Sequence, residues 1–295
     1  MPTRLQIARK DIVQVFDDHP SKILMTREIG SIVAAHRGNW RLAQNTRVQD
    51  VIEYLSKNVG KLRRLEFSFP GRSEIRYTWG DVPLHAVLMT LKKDCHFSHY
   101  TAMQMHDLTE QDPKAVYLNF EQPPKPRSAA GLQQDRIDAA FARGPRLTNN
   151  IATLGGTRIV LLNGMHTRYL GIETRSITTG DADATLRLTD LERTLVDIAV
   201  RPFYSGGVGE VLKAFERAAP RASTNRVAAL LADLDYVYPY HQAIGYYLET
   251  CGRYSKSAVE LFRQKFELKF DFYLTYSMKN PRYVERWRLY VPEGL

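Results

Sequence analysis

The order of apolar periodicities in the first 80 residues constrains this chain most, because three helical stripes run directly into one alternating hairpin. Leu5, Ile7, Ala8, Ile12, Val15 and Phe16 recur at helical spacing, and His19-Pro20 ends that stretch. After a short apolar Ile23-Leu24-Met25, Thr26 is placed to cap a second helix that buries Ile29, Ile32, Val33 and Ala34 and runs to about Arg37-Gly38. Thr46-Arg47-Val48-Gln49 matches a capping box, with Val48, Val51, Ile52 and Leu55 forming the inward stripe of a third helix. A start at Asn39, with Trp40-Arg41-Leu42 as the first turn, fits the pattern too. Leu65, Phe67 and Phe69 then alternate, Pro70-Gly71-Arg72-Ser73 supplies a turn, and Ile75, Tyr77 and Trp79 alternate again. A small helical unit closed by a β-hairpin is the pattern of a winged helix-turn-helix, here spanning 1–80.

Charge follows the same division. Residues 1–80 hold 14 Lys and Arg against 8 Asp and Glu, a net +6; residues 81–250 hold 18 against 19, a net −1; residues 251–295 hold 9 against 5, a net +4. A basic unit of this architecture is the electrostatic footprint of a phosphate-backbone partner, double-stranded DNA. Arg41, Gln44, Asn45, Thr46, Arg47 and Gln49 lie at or near the start of the helix that would enter the major groove, where Arg reads guanine and Asn or Gln reads adenine. Arg63, Arg64, Arg72 and Arg76 on the wing, with Arg27 on the second helix, would hold phosphates. Asp50 and Glu53 on the third helix work against this if they face the backbone, and winged helices also serve protein contacts; the basic balance favours DNA.

The remaining residues, 81–295, read as a larger mixed α/β (α+β) domain, which suits two domains in 295 residues. Helices are expected at Pro83–Lys93, from Ser98 to Leu108, at Leu132–Phe141 and, from a second capping box at Thr189-Asp190-Leu191-Glu192, through Ala199. Four more follow near Val208–Ala218, Asn225–Leu234, Tyr240–Cys251 and Ser257–Gln264. Strands are expected at Ala115–Phe120, Thr157–Leu162, Ile172–Ile177, Thr185–Leu188, Phe270–Tyr276 and Tyr283–Val291. The run Pro123-Pro124-Lys125-Pro126-Arg127 reads as a stiff connector. Two cysteines, Cys95 and Cys251, make no disulfide framework, the first ten residues lack a secretion h-region, and no apolar run approaches the roughly 18 residues of a membrane helix. A cytoplasmic protein with no membrane contact is the expectation.

Few constellations suggest chemistry. Cys95-His96-x-x-His99 with His106 offers zinc-type ligands, yet lacks a fourth at a recurring spacing, so packing and capping roles are preferred and no metal is expected. Glu267-Leu268-Lys269 resembles the acidic-x-Lys end of a metal-dependent nuclease site, but the upstream Asp is not identifiable and the tripeptide is common by chance. Ser205-Gly206-Gly207-Val208-Gly209 lacks the Lys-Ser/Thr of a P-loop. The aromatics from Phe266 to Tyr290, interleaved with Lys and Arg, fit sheet packing better than a base-stacking platform. No catalytic residue and no cofactor is expected.

Four stretches carry a resemblance over nearly the whole chain: the N-terminal winged helix, Phe97-Ser98-His99-Tyr100-Thr101-Ala102 with His106-Asp107-Leu108-Thr109, Leu188-Thr189-Asp190-Leu191-Glu192-Arg193-Thr194-Leu195-Val196-Asp197, and Tyr240 to Glu249. With these the chain resembles the AbiEi family of transcriptional regulators, the antitoxin half of abortive-infection toxin–antitoxin pairs. It departs from that pattern in the longer segment Arg37 to Asn45 between the second and third helices. The resemblance implies a bacterial autorepressor that binds inverted repeats of its own operator, while the C-terminal domain opposes a nucleotidyltransferase toxin, with or without gripping it directly. The alternative is a DNA-targeted, metal-dependent nuclease delivered by a winged helix.

Overall fold

Several helices in this chain begin where a side chain satisfies a backbone N–H that has no partner in the first turn. In the computed structural model, which describes residues 2–124, 126, 131–179 and 182–295, α1 (Arg4–Ile7) opens on Thr3, whose hydroxyl and N–H exchange hydrogen bonds with Gln6. α2 (Arg9–Asp17) buries Ile12 and Phe16. The short strand β1 (Ile23–Leu24) leads into α3 (Thr26–His36). The cap of α3 is Met25, whose N–H donates to the Glu28 carboxylate at 2.6 Å, so Thr26 is the first helical residue and not the cap the sequence suggests. α4 (Val48–Glu53) likewise starts after Arg47, whose N–H donates to Asp50 Oδ2 at 2.7 Å, and not after Thr46. In both cases a carboxylate three residues into the helix outcompetes the neutral threonine, since it is the stronger acceptor and sits at the positive end of the helix dipole. α4 continues as one π-helical stretch, Tyr54–Val59, and stops at Gly60 in the left-handed region.

β2 (Leu62–Phe69) and β3 (Arg72–Trp79) form the hairpin, registered from Leu62 against Trp79 to Phe69 against Arg72. β1 pairs antiparallel with β3, giving a three-stranded sheet in the order β1-β3-β2. Leu62, Ile75, Tyr77 and Trp79 from one face pack with Ile12, Phe16, Ile29, Val33, Val51 and Leu55. The indole N–H of Trp79 donates to Asp17 at 2.7 Å, and Lys61 binds the same carboxylate at 2.9 Å. Burial raises the Asp17 pKa, but these two donors outweigh it and leave the group below its ordinary range. The first compact unit comprises Met1–Asp94, containing the short helix α5 (Leu84–Leu88), together with Ile151–Gly156 and Arg175–Leu186.

The second unit comprises Cys95–Asn150, Thr157–Thr174 and Arg187–Leu295, and it too mixes helices with sheet. β4 (His96–Phe97) pairs antiparallel with β5 (Ala115–Glu121). After a helix, α7 (Gln134–Phe141), comes β6 (Ile151–Leu154), which belongs to the first unit, and then β7 (Thr157–Gly164), which runs parallel to β5. After β8 (Ile172–Thr179) comes β9 (Ala182–Thr189), whose Leu188 registers in parallel with Phe97. α6 (His99–Met105) packs on α8 (Leu191–Val200). α8 is capped by Asp190, which accepts from Arg193 N at 2.7 Å; the expected cap Thr189 is instead buried, with its hydroxyl 2.7 Å from that of Thr194. Around α8 lie α9 (Val208–Ala218), α10 (Thr224–Leu234) and α11 (Tyr240–Thr250). α12 (Lys256–Lys265) packs on α10 and α11. The proline-rich stretch 122–127 falls partly outside the described residues, at Lys125 and Arg127.

The two long aromatic strands expected at the C-terminus are three short ones: β10 (Phe272–Tyr273), β11 (Arg282–Val284) and β12 (Leu289–Val291). A 3-10 turn at Glu285–Trp287 interrupts the second, with Arg288 in the left-handed region. The cause is Trp287, fully buried, with its ring laid against Gly245 of α11. A Cβ on Gly245 would lie 2.2 Å from that ring. The Trp287 N–H donates to Glu249 at 2.6 Å, and the carbonyls of Phe270, Trp287 and Arg288 converge on the Gln242 amide.

This contact yields a prediction whose sign opposes helix propensity. An Ala in place of a mid-helix Gly ordinarily stabilises by about 0.5–1 kcal/mol, whereas overpacking a filled core destabilises by about 1–3 kcal/mol. Gly245→Ala is expected to lower the urea midpoint of the chain; an unchanged or raised midpoint would show that Trp287 does not sit on α11 as described.

Candidate nucleic-acid interface

The segment between α3 and α4 is the least conventional part of the first unit, and its conformation decides which polar groups face outward. Trp40 and Leu42 insert into the core, His36 stacks on Trp40 with ring centres 5.2 Å apart, and Arg41 takes a left-handed φ of 49°. The guanidinium of Arg37 then ties the loop from within, donating to the carbonyls of Ala43 at 2.6 Å and Thr46 at 2.8 Å. Trp40-Arg41-Leu42 is thus a turn and not the first turn of the third helix. Sequence reasoning missed the part played by Arg37; an Arg at a helix end carries no mark that separates it from a solvated one.

On this scaffold Arg41, Gln44, Asn45, Arg47 and Gln49 are exposed, and Thr46 is half-buried. Arg47 occupies the N-cap of α4, with Gln49 in the first turn. Arg27 is exposed on the first turn of α3. Asp50 turns its carboxylate back to the Arg47 N–H, and Glu53 is paired with Lys57 at 2.6 Å, so both acids are engaged on their own helix.

The hairpin divides its arginines. Arg63 and Arg64 are exposed on β2 and pair with Asp81 at 3.4 Å and Glu66 at 2.7 Å. The hydrogen bond that Arg64 donates to Glu66 raises the Arg64 pKa and lowers that of Glu66. Arg72, beside the turn, is exposed, lies over the Phe69 ring at 4.5 Å and pairs with Glu74 at 3.4 Å. Such exposed pairs contribute about 0–1 kcal/mol, little enough for phosphate oxygens to displace them.

Arg76 is different and must be removed from the phosphate-contacting set. Only 6% exposed, it donates from Nε to Thr90 Oγ1 and from Nη2 to Thr90 O, both at 2.9 Å, and from Nη1 to Ile75 O. The expectation placed Arg76 with Arg63, Arg64 and Arg72 among the phosphate-holding residues of the wing. In the structure both faces of the hairpin base are covered, and Phe67, Phe69 and Thr78 are buried along with Arg76.

The other sequence constellations separate. His106 Nε2 lies 2.7 Å from Thr189 O, His96 Nε2 lies 3.2 Å from Asn119 Nδ2, and His99 Nδ1 lies 2.9 Å from Ser98 Oγ. Burial pushes the His96 pKa down to about 3 and holds His99 well below its usual value, with Arg201 and Arg193 adding to the effect on His99. Among the described residues no group of three or more His, Cys, Asp or Glu is arranged to hold a metal ion. Glu267 and Lys269 are exposed; Lys269 lies over Phe270, and Glu267 accepts from His241 through its carbonyl. Gly206 and Gly207 adopt positive φ and open α9. Of the C-terminal aromatics, Phe272 and Trp287 lie in the core of the second unit and Phe266, Phe270, Tyr273 and Tyr276 pack against it, whereas Tyr283 is 40% exposed. Among the described residues no helix is long and apolar enough to cross a membrane.

No protein-family model matches the chain, and no curated protein is significantly similar to it. Among solved structures, the RV2827C protein from Mycobacterium tuberculosis shares its fold, with a TM-score of 0.60 at 12% identity over 99% of this chain and 92% of that one. At that identity the likeness is one of fold.

The split among the arginines is testable by stability. Arg76→Ala removes the donor to Thr90 O and Thr90 Oγ1 and empties a buried site, and is expected to destabilise by about 1–3 kcal/mol, whereas Arg64→Ala and Arg72→Ala should stay within about 0.5 kcal/mol of the parent. Equal melting temperatures for all three variants would contradict the burial of Arg76.

Proposed function

We propose that the chain is a DNA-binding transcriptional repressor whose N-terminal unit is a winged helix-turn-helix, and that it acts as the antitoxin of an AbiEi-type pair. The observation that carries the DNA-binding part is the exposure of Arg47 and Gln49 at the start of α4, in a unit ordered as helix, strand, helix, helix and hairpin. In this reading α4 enters the major groove, and Arg41, Gln44, Asn45 and Thr46 lie at its rim. Arg27, Arg63, Arg64 and Arg72 hold phosphates, which positions the protein without reading sequence. The antitoxin part rests on the resemblance of Leu188–Asp197 and Tyr240–Glu249 to the AbiEi family, with a nucleotidyltransferase toxin as functional partner and the cytoplasm as the place of action. The ordered interior around Arg193 supports a folded effector domain behind the DNA reader.

The test uses the full chain in two assays, repression of a reporter behind its own upstream DNA and rescue of growth from the neighbouring nucleotidyltransferase. Arg47→Ala and Gln49→Ala should weaken binding to the operator by about 1–3 kcal/mol per lost base contact while leaving binding to unrelated DNA little changed. Arg72→Ala should weaken both. Repression unaffected by the α4 substitutions would refute the groove assignment, and absence of growth rescue by well-expressed parent protein would refute the antitoxin assignment alone.

A further inference from the structure

A small cleft in the second unit holds a cation with nothing to neutralise it. Its volume is about 50 Å³, several times the roughly 10–15 Å³ that one water occupies on the same measure. Arg193, Asp197 and Arg201 all line it, from α8 and the residue after it. Arg193 Nε donates to Asp197 Oδ1 at 2.8 Å, and its Nη1 donates to Leu170 O at 2.5 Å. Arg201, one turn beyond Asp197, finds that carboxylate already engaged. It is half-buried, and its guanidinium has no ion pair or hydrogen bond among the described residues. With Arg193 and Asp197 cancelling, the lining carries one net positive charge.

His99 supplies the second unpartnered group. The residue is 5% exposed, lines the cleft, and is held at a left-handed φ of 51° at the start of α6. Its Nδ1 meets Ser98 Oγ, while Nε2 has no hydrogen-bond partner among the described residues. In the tautomer in which the Ser98 hydroxyl donates to Nδ1, the ring proton sits on Nε2 and is available to an anion. The imidazole is neutral because burial, and then Arg201 and Arg193, oppose its protonation. Asn119 closes the cleft beside Gly164, where any Cβ would lie 2.5 Å from Asn119 Oδ1.

The geometry points to an oxyanion site in this cleft, in which a phosphate group accepts from the free fork of Arg201 and from His99 Nε2. A guanidinium presents paired N–H groups that match two oxygens of a phosphate, and such bonds are strong where water is excluded. The same chemistry belongs to free inorganic phosphate and to the terminal phosphate of a nucleotide.

Calorimetric titration of the full chain with inorganic phosphate, against sodium chloride at matched ionic strength, tests the site. Saturable heat is expected with phosphate and not with chloride, weakened about tenfold or more in Arg201→Gln and only partly recovered in Arg201→Lys, which keeps the charge but not the paired N–H fork. Arg217→Gln, on a different surface, should bind as the parent does. A parallel titration with a nucleoside monophosphate separates the sources: binding that depends on Arg201 assigns a terminal phosphate, and binding of inorganic phosphate alone assigns the free ion. Phosphate should also shift the His99 ring nitrogen resonances of the parent protein, which requires no variant. Absence of saturable heat, an equal response to chloride, or full binding by a folded Arg201→Gln would each overturn the proposal.

Discussion

Arg193 and Asp197 sit one turn apart on α8 at 4% and 6% exposure, and the second unit is organised around the requirement that these two charges remain paired. Burial disfavours the Arg193 cation, and Asp197 more than offsets that penalty. Breaking such a pair by deleting one member destabilises by about 3–5 kcal/mol, since the survivor is left charged and dry. The same ten residues hold their surroundings through other atoms. Asp190 caps the helix and binds Arg226 at 2.5 Å, Glu192 accepts the Ser223 N–H at 2.9 Å, and Thr189 O lies 2.7 Å from His106. Gly171 packs so closely on Arg193 that a Cβ there would approach it to 2.7 Å. The polar residues from Thr189 to Asp197 are thus all engaged in hydrogen bonds or ion pairs that hold α8 and its surroundings.

The first unit uses the opposite economy of charge. Its helical core is apolar and closed at one edge by Asp17, which takes the Trp79 indole and Lys61 together; of the other Lys and Arg side chains in residues 1–80, Arg76 is buried, Lys22 and Arg37 are half-buried, and the rest are exposed. Arg37 makes the surface usable, because it fixes the segment carrying Gln44, Asn45 and Thr46 from inside. A reading head on such a loop needs this support, since groups that must match base edges lose discrimination when free to wander.

Much of this was legible in the sequence where one periodicity dominated. The helices α9, α10 and α12 declared themselves because each buries one apolar stripe, and the hairpin through its alternation; in the N-terminal stripes Ile12, Phe16, Ile29, Val33, Val51 and Leu55 are buried as expected, whereas Ile7 and Ala34 are exposed. Errors arose where two signals competed. At Thr26, Thr46 and Thr189 the threonine was favoured as cap, yet a nearby carboxylate took the role or displaced the boundary by one residue. Arg76 read as a wing cation because alternation cannot show that both faces of a hairpin are covered. The long final strand was lost to Trp287 and Gly245, residues 42 positions apart by number whose contact no local pattern reveals. The pairing of Arg193 with Asp197 has the i,i+4 spacing of an ordinary surface pair, so its burial was equally hidden.

The central claim is that exposed arginines of the first unit neutralise DNA phosphates, and salt linkage addresses it most directly. If Arg27, Arg63, Arg64 and Arg72 each displace one condensed counterion, the logarithm of the full chain's affinity for its own upstream DNA should fall with the logarithm of salt concentration at a slope of about −3.6 per protomer. Substituting all four with Ala should flatten that slope towards zero while the fold is kept. A parent slope near zero, or a slope unchanged by the four substitutions, would contradict the account.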